Sequence, residues 1–193
     1  MTFGYTNQNF MGSYEGAKIM RQDVEQIINK TKIDETKLPE AMRIIDRAAS
    51  IMEECDYDTD PKAKEELIAL QNELRELTGK ENYDIEEVNE YWSYTSLETK
   101  ATEALMQEPF RVGLPEEALR ELITEIFRSG ALEKEALIDF WTDFLEIETG
   151  IDDIMDYLFT ENDKGEIAYA PVDEVMEQIR KEKALAEENV ILL

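Results

Sequence analysis

The chain has 193 residues, enough for one good-sized domain or two small ones, and its 42% hydrophobic content is that of a protein with a core to bury. Asp and Glu number 46 against 20 Lys and Arg, and the resulting formal charge of -26 excludes nucleic-acid binding through phosphates and disfavours an anionic membrane surface. Histidine is absent and Cys55 stands alone, which removes histidine-dependent triads, histidine-ligated zinc and an intramolecular disulfide.

An enzyme without histidine must work through carboxylates, Lys, Tyr or a hard metal ion, so the composition favours a non-enzymatic protein without a cofactor. No apolar run approaches the roughly 20 residues that a bilayer span needs. The opening MTFGYTNQNFMG lacks the basic and then hydrophobic pattern of a signal peptide, and a cytoplasmic location is expected.

Residues 1–14 are uncharged and carry Phe3, Tyr5, Phe10 and Tyr14, the composition of a flexible aromatic arm, with packing on a partner or a second copy as the alternative. A helical pattern then runs from Glu15 to Lys30 with Ile19, Val24, Ile27 and Ile28 toward one side. A second helix starts near Pro39, turns Met42, Ile45, Ala49 and Met52 inward, and frays around Cys55. Asp56, Asp58 and Asp60 alternate as in a calcium loop, but Pro61 falls where that loop needs Gly and Leu67 where it needs a closing Glu. The same residues read better as a helix start, with Asp60 as the cap and Pro61 in the first turn.

The third helix spans Pro61 to Thr78 on Leu67, Leu70, Leu74 and Leu77, and Gly79 ends it. Asp84 and Glu87 have the spacing of a capping pair for a fourth helix reaching Gln107, whose Tyr91, Trp92 and Tyr94 are expected in the core. The QEPFRVGLP run, 107–115, is the best boundary, dividing an N-terminal sub-bundle over 15–107 from an acidic C-terminal one over 115–193 within one compact body.

Beyond it come a fifth helix, Pro115 to Ser129, with Leu119, Leu122, Ile123, Ile126 and Phe127 inward, and a sixth from Leu132 to Thr149 stopped by Gly150. A short seventh covers Ile151 to Thr160. GEIAYA, 165–170, is a candidate extended segment, and a last helix runs from Pro171 to about Glu188 through Val172, Val175, Met176 and Ile179. Arg180, Lys181 and Lys183 fall near its expected end. The terminal NVILL is expected to dock on the domain or on a partner. The fold expected is therefore all-α, an irregular bundle of about eight helices with a minor extended segment.

Two constellations are candidates for function. Glu73 with Glu76, Glu81 with Asp84, and Glu87 with Glu90 resemble the E-x-x-E and E-x-x-D pairs that hold magnesium in helical nucleotide pyrophosphohydrolases. Only four residues separate the first two pairs, however, too few for two facing helices. The other constellation is the stretch from Glu135 to Asp163, with ten carboxylates and no Lys or Arg. At 100° per residue, Glu135, Asp139, Asp143 and Glu146 form one stripe opposite Leu137, Phe140, Trp141, Phe144 and Leu145, and Asp152, Asp153 and Asp156 continue the charge. A helix gains from opposite charges at i and i+4 and loses from like ones, so helix stability does not account for this stripe. The expected role is binding to a basic protein surface, such as the nucleic-acid groove of another protein. Small acidic DNA-mimicking inhibitors use the same physics, a likeness of charge and not of sequence. A self-associating scaffold, using the arm and NVILL, is the alternative, with a magnesium enzyme as the third.

Overall fold

The computed structural model describes residues 20–161 and 165–191, without the side chains of Glu133 and 187–191. The aromatic arm, Ile19, residues 162–164 and the last two residues lie outside these, as do the terminal aliphatic side chains. Among the described residues the chain is helical apart from one two-stranded sheet. No described helix is long and apolar enough to cross a membrane.

Two compact units form, each with its own core. One is Ile28–Glu108; the other runs from Pro109 onward and includes the start of α1 (Gln22–Lys30), through Ile27. Grouping of α1 with the C-terminal half departs from its expected place in the first sub-bundle. Its ties explain the difference: the Arg21 N–H donates to Glu121 at 2.9 Å, and Val24 and Ile27 are buried.

In the 28–108 unit, α2 (Leu38–Glu54) is the central element and packs most extensively against α4 (Leu97–Leu105), then α3 (Pro61–Thr78). Ala41, Ala48 and Ala49 line the inner face of α2 beside Ile44, Ile45 and Ile51, and Ala101 and Ala104 line α4. Small side chains on both let the two helices approach closely. Lys37 donates through Nζ to the Leu77 carbonyl at 2.7 Å, serving an open carbonyl at the end of α3.

The start of α3 is built as its sequence reads. Asp60 Oδ1 accepts from the N–H groups of Lys62 at 2.9 Å and Ala63 at 3.4 Å, Pro61 occupies the first turn, and Gly79 closes the helix in the left-handed conformation. Asp60→Ala is expected to cost about 1 kcal/mol in urea unfolding, and Asp60→Ser to recover most of it.

The expected fourth helix over 84–107 does not form as one piece. Two short 3-10 turns, Ile85–Val88 and Tyr91–Ser93, precede α4. Asp84 spends its carboxylate on the N–H of Glu86 at 3.0 Å, Asn89 is extended, and Glu90 adopts φ 54° in the left-handed region. Ser96 then supplies a fresh cap, accepting from the Thr99 N–H at 3.0 Å. The break splits the aromatic cluster: Tyr91 is buried, whereas Trp92 and Tyr94 are 45% and 58% exposed and leave the core where they were expected.

In the other unit, α5 (Glu116–Ser129) buries Leu119, Leu122, Ile123, Ile126 and Phe127, as its spacing requires, and ends at a left-handed Gly130. A 3-10 turn, Ala131–Glu133, leads into α6 (Glu135–Thr149), which Gly150 terminates. The seventh helix is a single turn, α7 (Met155–Leu158), because Phe159–Glu161 leaves it as strand β1 and pairs antiparallel with β2, Ile167–Tyr169. Phe159 lies opposite Tyr169 in this register, and the Tyr169 ring stacks on Phe127 of α5 at 4.5 Å. The hairpin is thereby docked on the helix layer.

Helix α8 (Val172–Ile191) buries Val175, Met176 and Ile179. It outruns its expected end, so Arg180 and Lys181 sit mid-helix and make ion pairs instead of serving the last carbonyls: Arg180 with Glu116 at 2.7 Å, Lys181 with Glu177 at 2.8 Å.

Candidate functional site

Helix α6 is amphipathic with an aromatic inner face. Phe140, Trp141, Phe144 and Leu145 are buried, and the Phe144 ring meets Phe140, Trp141 and Phe110 at centroid distances of 6.2, 5.8 and 5.7 Å. The opposite face carries the acidic stripe. Glu135, Asp139 and Asp143 are exposed and Glu146 is half-buried at the edge, so these four share one helix face. Asp152, Asp153 and Asp156 are exposed too, but they lie past Gly150 on the turn into α7, where Asp153 has φ 57° and accepts the N–H of Asp156 at 3.0 Å. They do not extend the helical stripe.

Among the described residues none of the seven makes an ion pair, while Arg21, Arg43, Arg47, Arg120, Arg128 and Arg180 all pair with carboxylates elsewhere. The cost of the stripe shows at Asp143, whose carboxyl is raised above its ordinary value by partial desolvation first and by Asp139 second. A raised carboxyl pKa means that the folded chain holds this proton more tightly than the unfolded chain does. The penalty is therefore present above the raised value and is lost as pH falls through it toward the ordinary 3.8. Asp143→Asn is expected to leave the fold as stable at neutral pH and low salt, or to add about 0.2–0.5 kcal/mol, the relief of a like-charge i,i+4 pair. The gain should shrink as salt is added and fade as pH falls through the raised value of Asp143. A loss above about 1 kcal/mol would instead mark Asp143 as a structural residue.

One acid of this stretch has a different fate. Glu148 is 4% exposed, and its carboxylate accepts three successive backbone N–H groups: Val112 at 2.8 Å and Gly113 at 3.0 Å on Oε2, and Leu114 on Oε1. Gly113 sits at φ 78°, the left-handed conformation that turns neighbouring N–H groups to one side and makes an anion cradle. In the sequence Glu148 is one of the ten acids between Glu135 and Asp163. Its position was informative: it stands seven residues after Trp141 and four after Phe144, on the buried face.

Two members of the carboxylate pairs that resemble a magnesium site, Glu73 and Asp84, are engaged otherwise. Glu73 accepts from Arg43 at 2.6 Å, which also holds Glu40 at 2.8 Å, and Asp84 caps its 3-10 turn. Among the described residues, no three carboxylate or sulfur side chains converge as metal ligands would.

Comparison with known proteins gave no match: no family model, no curated protein and no solved structure is detectably similar to this chain.

Proposed function

We propose that this chain is a non-enzymatic acidic binding protein whose α6 stripe, Glu135, Asp139, Asp143 and Glu146, engages a basic protein surface, with Asp152, Asp153 and Asp156 adding to the field. One observation carries the reading: the stripe is displayed without a cation partner among the described residues, although arginines are spent on other acids of the same chain. A one-signed exposed face steers and holds a face of opposite sign.

Spacing refines the kind of partner. Successive stripe carboxylates four residues apart rise about 6 Å along the helix, against roughly 3.4 Å between phosphates of one DNA strand. The stripe thus suits a run of Lys and Arg on a protein, including one that otherwise holds phosphates, without reproducing a duplex.

The test is affinity capture from the native host at about 50 mM salt, followed by binding of the purified partner across a salt series. A basic, nucleic-acid-handling protein that is released by about 200 mM salt is the expected catch. Replacing the stripe by Glu135→Gln, Asp139→Asn, Asp143→Asn and Glu146→Gln should weaken that binding about tenfold or more while the fold stays intact. Binding that is unchanged by the four substitutions, or insensitive to salt, overturns the proposal.

A further inference from the structure

The 28–108 unit carries a second surface with different chemistry. Glu90 turns the chain through the left-handed region, Tyr91 goes into the core at 7% exposure, and Trp92 and Tyr94 remain outside at 45% and 58%. Each exposed ring has a neighbour within its own turn. The Trp92 ring meets Tyr91 edge-on at 5.5 Å, and the Tyr94 hydroxyl donates to the Glu87 carbonyl at 3.5 Å. Two aromatic rings are thus presented to solvent on a short turn, and the contact of Trp92 with the buried Tyr91 lowers the cost of ordering it against a partner.

Their surroundings select the partner. Residues 81–99 contain six carboxylates against the flanking Lys80 and Lys100, of which Lys80 is close enough to Glu87 for their charges to interact. Asp84, Glu86, Glu87 and Glu90 are exposed, and among the described residues none of them makes an ion pair. The field reaches Tyr57, whose hydroxyl is pushed up by Glu86 first, then by burial, Asp58, Asp56 and Asp84. An apolar partner would have to strip water from these acids without repaying them, and a nucleic acid would be repelled. A guanidinium satisfies both parts of the surface. It is flat and weakly hydrated, stacks on an aromatic face, and presents a fork of donors to carboxylates, whereas an ammonium is a strongly hydrated point charge.

We infer that the Trp92–Tyr94 turn is a docking surface for an arginine-bearing segment of a basic partner protein. It is independent of the α6 stripe, on a different unit and with aromatic rings as the distinguishing element.

The chain's two tryptophans make the test direct, since Trp141 is 2% exposed and Trp92 is the one that a surface ligand meets. The full chain is titrated at low salt with an oligo-arginine peptide, and with oligo-lysine of equal length. The expected result is a saturable change in tryptophan emission and binding of the arginine peptide about threefold tighter or more. Trp92→Leu should abolish the emission change and weaken the arginine peptide about threefold to fivefold by calorimetry, and Trp92→Phe should restore part of the affinity. The α6 variant with its four neutral residues should keep the emission change, which separates failure here from failure of the stripe. Equal affinity for the two peptides with no effect of Trp92→Leu overturns the inference. So does an emission change that tracks protein concentration and a rise in mass by light scattering, which would assign the turn to a second copy.

Discussion

Phe144→Ala should cost about 4 kcal/mol, the largest single loss expected in this chain. The side chain is 0% exposed, and its ring is held by Phe110 edge-on at 5.7 Å, by Trp141 edge-on at 5.8 Å and by Phe140 in a stacked pose at 6.2 Å. Removing it deletes the transfer energy of the ring, the aromatic pair terms and the packing of three neighbours that sit on two different segments. At this chain length a loss of that size lowers the melting temperature by roughly 8–16 °C. The near-UV circular dichroism of Trp141 should weaken and its emission shift red as water gains access. Ile147→Ala, three residues further on and 41% exposed, is the control and should change stability by less than about 0.5 kcal/mol. Should Phe144→Ala cost under about 1.5 kcal/mol, these rings are not what holds α6.

Two prolines and a glycine between 107 and 115 have the signature of a linker, yet Phe110 enters the aromatic cluster and the N–H groups of 112–114 are bound by Glu148. Turn composition reports that the chain leaves regular structure; it does not report what the irregular backbone touches. Where periodicity and punctuation agree, the reading holds in detail. In α5 the i, i+3, i+4, i+7, i+8 spacing of Leu119, Leu122, Ile123, Ile126 and Phe127 falls between Pro115 and Gly130, and all five are buried. In α3, Asp60, Pro61 and Gly79 mark both ends.

Where the reading departs, a competitor outside the local pattern has won. Residues 84–107 have helix-like spacing, but Asp84 and Ser96 each hydrogen-bond nearby N–H groups and start separate turns. The residues between are rich in aromatic and β-branched types that gain little from helix, and Tyr91 takes its own route to the core, its hydroxyl donating to Asp46 at 3.3 Å. Residues 151–160 lose Phe159 and Thr160 to a pairing with 167–169, a non-local partner that no helical periodicity can report. At the candidate site, the exposed positions of Glu135, Asp139 and Asp143 followed from the apolar face opposite them. The exposure of Trp92 and Tyr94 did not, because aromatic residues in a run are as well suited to a core as to a surface.

Glu148→Ala is expected to cost about 3 kcal/mol, and its signature should be local to residues 112–114. The substitution leaves the N–H groups of Val112, Gly113 and Leu114 without their acceptor, and the site is closed enough that Glu148 itself is 4% exposed. Each unsatisfied donor carries a desolvation penalty of about 1–3 kcal/mol, partly relieved where the loop can open to water. Glu148→Gln is the sharper probe. It matches the volume and keeps one carbonyl oxygen to accept, but its NH₂ points donors at donors, so it should lose about 2 kcal/mol and not be neutral. Native-state hydrogen exchange reads the mechanism directly: the amides of 112–114 should lose protection in both variants while those of α8 change only with global stability. Unchanged exchange at 112–114 would mean that the backbone turn at Gly113 holds itself. The paired result with Asp143→Asn then divides the acidic stretch by function. Neutralising Glu148 removes a clamp that the fold requires, whereas neutralising Asp143 relieves a repulsion that the fold tolerates, and only the second kind of charge is free to meet a partner.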